Sequence, residues 1–455
     1  RRMMKKYDVI VIGGSAAGIS AAMTAKRHYP DKSVCILRKE KEVSIPCGIP
    51  YIFGTVGKPE NNLIPDAVLE KNSVDLIIGE ATGLDTEAKT ILVSGEETLG
   101  YNKLILATGS NPIVPPIPGM DKKNIFPVKK DTSYLRDVLK AVDEANDLVV
   151  LGCGFIGVEF ADECKKNRNL NVSIVEMLTH CLQVAFGETE CRCCEEIERA
   201  LENKGIDIIT EHRLEEVLGN GSITGVRLSD GREIKADALI VGIGVGPNID
   251  LAGKAGIEVD DKLGIKVDAN QRTSNADVFA CGDCASKFSF FTGKPSKLWL
   301  ASIATNEARI AGANLFANRR KNQGVIGVFS TAVDELAVGM AGLSESGARE
   351  LDFDAVSGEA EAPNRHPGGM PGMRKMWVRL VFNSDNGELL GGTACGGPSV
   401  GELINTISAC IQTRMTADDI ATFQIGTHPA VTASPIAYQL VNAAEIALQK
   451  MKTKQ

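Results

Sequence analysis

Cysteine is the most reactive residue type in this sequence of 455 residues, which contains twelve cysteines. A cysteine thiolate attacks sulfur–sulfur bonds and can cycle through sulfenic acid, so each position is a candidate redox centre. The chain is acidic, with a net charge of −8, and its cysteines have no regular spacing. We interpret them as thiols of a reducing cytoplasm rather than as a disulfide framework.

Cys47 stands apart, because no second cysteine follows it within ten residues. This spacing excludes a two-cysteine relay at that position. The sequence Cys-Gly-Ile-Pro before an apolar stretch predicts that Cys47 begins a helix, where the positive end of the helix dipole lowers a thiol pKa. The remaining chemistries are a mixed disulfide or persulfide with a small substrate and a cycle through sulfenic acid. A buried, inert thiol is the alternative.

The other cysteines carry weaker signals. Cys281 and Cys284 form a C-x-x-C motif whose spacing we interpret as incidental. Three more cluster at the start of a charged helix without the paired spacing of a zinc site, which predicts a partly exposed thiol cluster and no metal: Cys191, Cys193 and Cys194. Five are expected to pack as small hydrophobic side chains: Cys35, Cys153, Cys164, Cys395 and Cys410.

A complete G-x-G-x-x-G fingerprint follows the apolar run 147–151, with Gly152, Gly154 and Gly157 at its three positions. The first glycine allows a tight turn, the second lets the backbone approach a pyrophosphate, and the third lets helix and strand pack closely. Glu176 ends the next predicted strand, nineteen residues after Gly157. A carboxylate there hydrogen-bonds a ribose 2′-hydroxyl and repels a 2′-phosphate, which favours NADH over NADPH.

A second Gly-rich turn lies near the N-terminus but departs from this pattern. Gly13 and Gly18 hold the outer positions, whereas Ser15 holds the middle one. The next predicted strand ends at Arg38, where an acidic ribose ligand is expected, so Glu40 is the candidate substitute.

The elements that must position these residues are two strand–turn–helix–strand units, whose first glycines lie 139 residues apart. Two such units predict two nucleotide-binding modules in an α/β chain. From about residue 325 the pattern changes to strands followed by helices, which predicts a third, α+β domain. The acidic balance argues against nucleic acid and anionic membranes as partners, and no apolar run is long enough for a transmembrane helix.

Three further segments complete a recognisable pattern: residues 43–51, the Ala107-Thr108-Gly109 strand end, and residues 278–283. With the two Gly-rich turns, they make the sequence resemble the flavin-dependent pyridine nucleotide–disulfide oxidoreductases. Within these it resembles the single-cysteine branch of coenzyme A-disulfide reductases, NADH oxidases and peroxidases, and persulfide or polysulfide reductases.

The resemblance implies an α/β fold of two Rossmann-like, three-layer ββα nucleotide-binding domains and a C-terminal α+β dimerisation domain. Residues 3–118 and 255–324 would bind FAD, residues 119–254 would bind NAD, and residues 325–455 would dimerise. The cofactors would be FAD and NADH rather than NADPH, with coenzyme A as a further candidate ligand or substrate.

The resemblance also assigns roles to residues. Cys47 and His428 would be catalytic, Asp283 would accept a hydrogen bond from the ribityl chain of the flavin, and Glu159 would lie near the nicotinamide. The cofactor-binding residues would be Gly13, Ser15, Ala16, Ala17, Gly18, Arg38, Ser44, Thr108, Gly109, Gly152, Gly154, Phe155, Ile156, Gly157, Glu159, Glu176, Gly244, Gly282, Asp283 and Ala301.

Two departures from the family pattern bear on the electron acceptor. Oxidases and peroxidases of this branch have a histidine in the first Gly-rich turn, where this chain has Ala16, so proton delivery to a departing hydroxide is harder. Coenzyme A-disulfide reductases have an asparagine before the cysteine, where this chain has Pro46, and tyrosines in loops that here contain His428. Either His428 or Tyr438 could replace such a tyrosine, and a structural role for His428 is the alternative.

The sequence therefore predicts a cytoplasmic homodimer that reduces a persulfide, polysulfide or coenzyme A-type disulfide through Cys47. The C-terminal domain of the partner subunit would complete the active site. The alternatives are an NADH oxidase or peroxidase and a flavoprotein redox sensor.

Overall fold

The computed structural model of the chain describes residues 4–95, 97–187 and 192–454. These residues form two compact units. Unit 1 comprises residues up to 115, 126–144 and 243–325, and unit 2 comprises 116–125, 145–242 and the described residues from 326 onward. No helix in these ranges is long and apolar enough to cross a membrane.

In chain order, the strands are β1 (Lys5–Ile12), β2 (Val34–Arg38), β3 (Asp75–Ile78), β4 (Ala81–Asp85), β5 (Thr90–Val93), β6 (Glu97–Leu106), β7 (Ser110–Pro112), β8 (Ile125–Pro127), β9 (Asp147–Leu151), β10 (Asn171–Val175), β11 (Ile206–Ile209), β12 (Leu214–Leu218), β13 (Gly225–Leu228), β14 (Glu233–Lys235), β15 (Ala238–Val241), β16 (Val245–Pro247), β17 (Val259–Asp260), β18 (Gly264–Ile265), β19 (Val278–Ala280), β20 (Lys287–Phe288), β21 (Pro295–Ser296), β22 (Val328–Val333), β23 (Leu336–Gly342), β24 (Ala355–Pro363), β25 (Lys375–Asn383) and β26 (Leu389–Gly396). The α-helices are α1 (Ala16–His28), α2 (Ala67–Lys71), α3 (Thr132–Glu144), α4 (Phe155–Lys165), α5 (Gln183–Phe186), α6 (Arg192–Asn203), α7 (Asp250–Lys254), α8 (Ala301–Asn314), α9 (Glu345–Glu350), α10 (Val400–Gln412), α11 (Ala417–Thr422) and α12 (Gln439–Lys454).

Unit 1 is built on a sheet with the strand order β3-β2-β1-β6-β5-β4, and β19 also pairs with β6. Strand β1 is parallel to both β2 and β6, while β4, β5 and β6 pair antiparallel. Val9 and Val11 of β1 enter one hydrophobic cluster and Ile10 and Ile12 enter another, because successive side chains of a strand point to opposite faces. The apolar run in β1 is therefore long because both of its faces are buried.

Unit 2 contains a second sheet with the order β11-β10-β9-β15-β8, in which β9, β10, β11 and β15 are parallel. A separate five-stranded sheet follows in the chain, with the antiparallel order β22-β23-β26-β25-β24. Helices α10 and α12 pack against this last sheet. The predicted mixed α/β class with a C-terminal α+β region is confirmed.

A fully buried ion pair joins strand β20 of unit 1 to helix α8. Lys287 Nζ lies 2.9 Å from Glu307 Oε2, and both side chains are inaccessible to solvent. The same carboxylate accepts a hydrogen bond from the backbone N–H of Gly282 at 2.9 Å, and Lys287 Nζ donates to the Gly282 carbonyl at 2.8 Å. The pair therefore fixes both polar groups of the Gly282 backbone.

We expect Lys287→Met to lower the free energy of unfolding by about 3–5 kcal/mol, because it leaves the Glu307 carboxylate buried without its cation. Urea denaturation of the purified variants measures this change. Replacing both residues with Met should recover part of the loss. Lys140→Ala removes an exposed pair with Glu144 and should cost less than about 1 kcal/mol. Equal losses in Lys287→Met and Lys140→Ala would contradict this account.

Candidate active site

A cavity of about 1040 Å³ opens in unit 1 at the ends of β1, β2 and β6, at the upper end of the range for cofactor pockets. Six of the predicted residues line it: Gly13, Ser15, Arg38, Ser44, Thr108 and Gly109. Further lining comes from residues 79–82 and 128–131 and from four residues after β16: Asn248, Asp250, Leu251 and Lys254. The structure thus brings together segments that are far apart in the sequence.

The turn between β1 and α1 leaves no room for side chains at its two outer glycines. A Cβ on Gly13 would lie 2.1 Å from the carbonyl oxygen of Ala107, and a Cβ on Gly18 would lie 1.8 Å from that of Gly13. Ser15 takes the N-cap position of α1, and Ala16 and Ala17 begin the helix without an acidic side chain in the first turn. The N–H groups at this helix end form an anion site of the kind that binds pyrophosphate.

Arg38 lines the cavity but is held by protein groups rather than left open as a ribose ligand. Its guanidinium donates to both carboxylate oxygens of Asp66, at 2.7 and 2.9 Å. It also donates to the carbonyls of Glu40 and Lys41, and its side chain lies against Gly14. Arg38 therefore fixes the loop after β2, a role that depends on Asp66, which the sequence pattern did not reveal.

The Ala-Thr-Gly strand end is tied to the segment after β16. Thr108 Oγ1 donates to the Asn248 carbonyl at 2.8 Å, and the Asn248 N–H donates to the Gly109 carbonyl at 2.9 Å. Gly109 has φ +69°, a left-handed conformation that favours glycine. Gly244 also has a positive φ, and its carbonyl accepts from the Ile113 N–H at 3.0 Å.

Asp283 lies in a short 3-10 turn whose position is set from both sides. Its carboxylate accepts a hydrogen bond from Ser110 Oγ at 2.8 Å. Gly282 has φ +80° and is held by Glu307 of α8, the helix that begins at Ala301. Ser110 and Glu307 are thus supports for this turn that the motif alone did not predict.

Cys47 is exposed and lies in a 3-10 helix of three residues, Pro46–Gly48, followed by a second one, Pro50–Phe53. The expected helix start is therefore a pair of 3-10 turns. Asn62 fixes this segment through two hydrogen bonds of 2.9 Å. Its side-chain N–H donates to the Ile45 carbonyl, and its backbone carbonyl accepts from the Ile45 N–H. Ser44, three residues before Cys47, is buried and lines the cavity.

The complete fingerprint in unit 2 repeats the geometry of the first turn. Gly152 has φ +97°, and a Cβ on Gly157 would lie 1.9 Å from the Gly152 carbonyl oxygen. Gly154 is the N-cap of α4 and has open space where a Cβ would point. At the start of α4, Phe155 stacks on Phe329 at 5.2 Å between ring centroids, and Ile156 is exposed.

Glu176 follows β10 and faces this turn. One carboxylate oxygen accepts from the backbone N–H of Cys153 at 2.7 Å, and the other accepts from that of Leu178 at 2.9 Å. Its carboxylate is therefore oriented by the backbone of the fingerprint itself, which the nineteen-residue spacing did not reveal.

Glu159 lies one turn into α4 and accepts a hydrogen bond from Thr331 Oγ1 at 2.9 Å. Burial raises the pKa of this carboxyl to about 7, and repulsion from Glu163 adds to the shift, whereas the Thr331 bond opposes it. The group therefore changes charge near neutral pH.

The cysteines differ from the sequence expectation in two respects. Cys153 was predicted to pack as a small hydrophobic side chain, but it forms a disulfide with Cys181, with 4.7 Å between the Cα atoms. Cys193 and Cys194 were predicted to be partly exposed thiols, but both are buried and Cys194 is disulfide-bonded. The pattern could not reveal these features, because cysteine pairing depends on three-dimensional proximity. Cys191 lies outside the described residues.

The C-x-x-C motif of unit 1 does not form a disulfide. Cys281 and Cys284 are buried thiols, and burial raises the pKa of each, which makes them poor nucleophiles.

Within the described ranges, no group of three or more potential ligands could hold a metal ion.

His428 lies in an exposed loop of unit 2. Its Nδ1 accepts a hydrogen bond from the Ala430 N–H at 3.2 Å, and its backbone N–H donates to Thr432 Oγ1 at 3.0 Å. Tyr438, the alternative, packs edge-on against Phe423. His428 is thus the more accessible of the two.

Residues 7–308 match the pyridine nucleotide-disulphide oxidoreductase family, and residues 328–436 match its dimerisation domain. The chain belongs to this family. The resemblance inferred from the motifs is confirmed.

The relatives of this chain include proteins named as NADH oxidases and proteins named as sulfur or persulfide reductases. The chain is 31% identical to an NADH oxidase of Methanocaldococcus jannaschii, over 98% of this chain and 99% of that one. It is 29% identical to an NAD(P)H coenzyme A polysulfide/persulfide reductase of Pyrococcus horikoshii, over 91% and 93%. A solved NAD-dependent persulfide reductase from A. fulgidus is 28% identical with a TM-score of 0.89, over 98% of this chain and 84% of that one.

The residues of unit 1 fit FAD, the flavin that this family uses with a pyridine nucleotide. The close approach at Gly13 and Gly18 leaves backbone N–H groups uncovered at the start of α1, as a pyrophosphate requires. The cavity extends from this turn past Thr108 and Gly109. The turn between β9 and α4 offers the same kind of site for the pyridine nucleotide.

The raised pKa of Glu159 predicts a pH-dependent cost to stability. Because the folded-state pKa is about 7 and the ordinary value is 4.5, the folded protein binds more protons between these pH values, and stability falls as pH rises through them. We expect Glu159→Gln to gain stability relative to the native protein between pH 5 and pH 8, measured by urea denaturation. Thr331→Val, which removes the bond that lowers the folded-state pKa, should extend the fall to higher pH without moving its start. A pH-independent difference for Glu159→Gln would contradict this assignment.

Proposed function

We propose that this protein is an FAD-dependent NAD(P)H oxidoreductase that reduces persulfides, polysulfides or coenzyme A-type disulfides. The observation that carries the proposal is Cys47, an exposed cysteine in a segment that also lines the FAD-sized cavity through Ser44. Cys281 and Cys284 are buried with raised pKa values, so they offer no competing nucleophile in unit 1.

In this proposal the residues of the chain divide into three tasks. The turn at Gly13 and the start of α1 bind the FAD pyrophosphate, and Asp283, oriented by Ser110, accepts from the ribityl chain. The turn at Gly152 binds the NADH pyrophosphate, and Glu176 accepts from the adenosine ribose. FAD, when bound, supplies the two-electron chemistry that links nicotinamide to sulfur.

Cys47 carries the sulfur step. Its thiolate attacks the outer sulfur of a persulfide, forms a new sulfur–sulfur bond and releases the organic thiolate. Two electrons and a proton then cleave the Cys47 persulfide, which regenerates the Cys47 thiolate and releases hydrosulfide. A disulfide substrate reacts in the same way and leaves a mixed disulfide on Cys47.

The first Gly-rich turn favours sulfur over oxygen as the acceptor. Ala16 begins α1 and brings no titratable side chain to the turn. Reduction of peroxide at a cysteine releases hydroxide, which needs a proton donor, whereas thiolate leaving groups need less acid assistance. The alternative is an NADH oxidase or peroxidase, and the relative of that name in Methanocaldococcus jannaschii supports it.

We further propose that the enzyme is a cytoplasmic homodimer in which His428 of a second copy approaches Cys47. The match of residues 328–436 to a dimerisation domain supports a dimer. His428 is exposed on its own chain, as a residue completing a neighbouring site must be. In that place its imidazole would donate a proton to the departing thiolate.

We expect Cys47→Ser to lower the NADH-dependent reduction of persulfide and polysulfide by at least about 10³-fold, because an alcohol does not replace a thiolate nucleophile at neutral pH. NADH should still bleach the flavin of this variant, since the site for the nicotinamide is untouched. Stopped-flow absorbance and steady-state hydrosulfide release measure the two steps separately.

Cys410→Ser, a substitution of a buried cysteine in α10, is the matched control and should keep full activity. All rates are compared anaerobically with polysulfide, glutathione persulfide, coenzyme A disulfide and peroxide. Faster turnover with peroxide than with every sulfur acceptor would favour the oxidase alternative. Full sulfur reduction by Cys47→Ser would refute the role of Cys47.

Glu176→Gln should weaken the preference for NADH over NADPH by about 10- to 100-fold. The amide oxygen can still accept from the Cys153 N–H, but the negative charge that repels a 2′-phosphate is lost. The ratio of kcat/KM for the two nucleotides measures the effect. An unchanged ratio would show that Glu176 does not face the ribose.

A further inference from the structure

The disulfide between Cys153 and Cys181 lies within the predicted nucleotide site of unit 2. Cys153 is the residue between Gly152 and Gly154, so the disulfide begins inside the fingerprint turn. Its other end lies in the segment 177–187, which follows Glu176 and returns to the same turn. The disulfide therefore crosslinks the two backbone segments that would hold the pyrophosphate and the adenosine ribose.

Hydrogen bonds around the disulfide hold the same two segments together. The Cys153 N–H donates to Glu176 at 2.7 Å, and the Cys153 carbonyl accepts from the Leu182 N–H at 2.8 Å. The Cys181 N–H donates to Glu198 of α6 at 2.8 Å. The Cys153 N–H is thus bound to the residue just before the segment 177–187, and the Cys153 carbonyl is bound to a residue within that segment.

The outer side of this segment is open to solvent, although both sulfur atoms are buried. Val184 is 91% exposed and Met177 is 63% exposed, and helix α5 has only four residues. Cys181, Leu182 and Phe186 are the buried residues of this segment, so a small thiol or disulfide reaches the crosslink when the segment opens locally.

We propose that Cys153 and Cys181 form a second sulfur-reactive site, which exchanges with small disulfides and thiols and sets the affinity for the pyridine nucleotide. This inference rests on the proposed function, because it takes the turn at Gly152 as the NADH site. The disulfide form holds Glu176 against the turn and binds the nucleotide tightly. The dithiol form releases the segment 177–187 and binds the nucleotide weakly.

Small disulfides, which belong to the substrate class of the enzyme, would supply the oxidant for this exchange, and small thiols would supply the reductant. The Cys181 thiolate attacks one sulfur of a small disulfide, a mixed disulfide forms, and one thiolate leaves. The Cys153 thiolate then attacks the Cys181 sulfur, closes the intramolecular disulfide and releases the second thiolate. A small dithiol reverses both steps and becomes oxidised. The oxidised acceptor would thereby increase nucleotide affinity when it is abundant.

ADP-ribose is the probe, because it fills the adenosine and pyrophosphate positions and cannot deliver a hydride. Its Kd is measured by calorimetry on FAD-loaded enzyme, before and after anaerobic treatment with dithiothreitol and desalting. Alkylation and peptide mass analysis report the state of Cys153 and Cys181 in each sample. We expect the Kd to rise about 5- to 20-fold on reduction and to recover with oxidised glutathione.

The double variant Cys153→Ala, Cys181→Ala should bind weakly with or without dithiothreitol, and Cys410→Ala should respond like the native protein. An unchanged Kd after the crosslink has opened would overturn the inference, and so would a response that persists in the double variant. If ADP-ribose does not bind the oxidised native enzyme at all, the NADH site of the proposed function is itself wrong.

Discussion

The close approach of backbone to backbone at two Gly-rich turns is the constraint on which the candidate site depends. In unit 1 a Cβ on Gly18 would lie 1.8 Å from the Gly13 carbonyl oxygen, and in unit 2 a Cβ on Gly157 would lie 1.9 Å from that of Gly152. Both turns therefore let a helix begin close to the end of the preceding strand. No side chain of the glycines covers the backbone N–H groups at the start of that helix. Because this geometry occurs in both units, the chain has two candidate binding sites for a pyrophosphate.

A buried ion pair, hydrogen bonds and a disulfide then hold the surrounding segments in place. In unit 1 the Lys287–Glu307 pair fixes the Gly282 backbone, and Ser110 orients Asp283. In unit 2 Glu176 accepts from the Cys153 N–H, and the Cys153–Cys181 disulfide closes the same segment covalently. Each of these contacts joins a neighbouring segment of the chain to a glycine-containing turn.

The sequence predicted the features that depend on local spacing. The turns at Gly13 and Gly152 follow from glycines within six residues, and the fold class follows from the repeated unit and the family resemblance. The supports could not be predicted in the same way: Lys287 and Glu307 are twenty residues apart, Cys153 and Cys181 are 28 apart, and Glu159 and Thr331 are 172 apart. Such partners are set by how the sheets and helices pack. Arg38 stands where the sequence pattern has an acidic residue, and only its ion pair with Asp66 shows what its guanidinium does.

The central claim is that Cys47 accepts sulfur directly from the substrate. Mass analysis of alkylated peptides after anaerobic incubation of the oxidised enzyme with polysulfide tests it most directly. We expect an additional sulfur on the peptide that contains Cys47, which disappears when NADH is added. A Cys47 peptide that gains oxygen but never sulfur, or an NADH-sensitive sulfur found only on another cysteine, would contradict it.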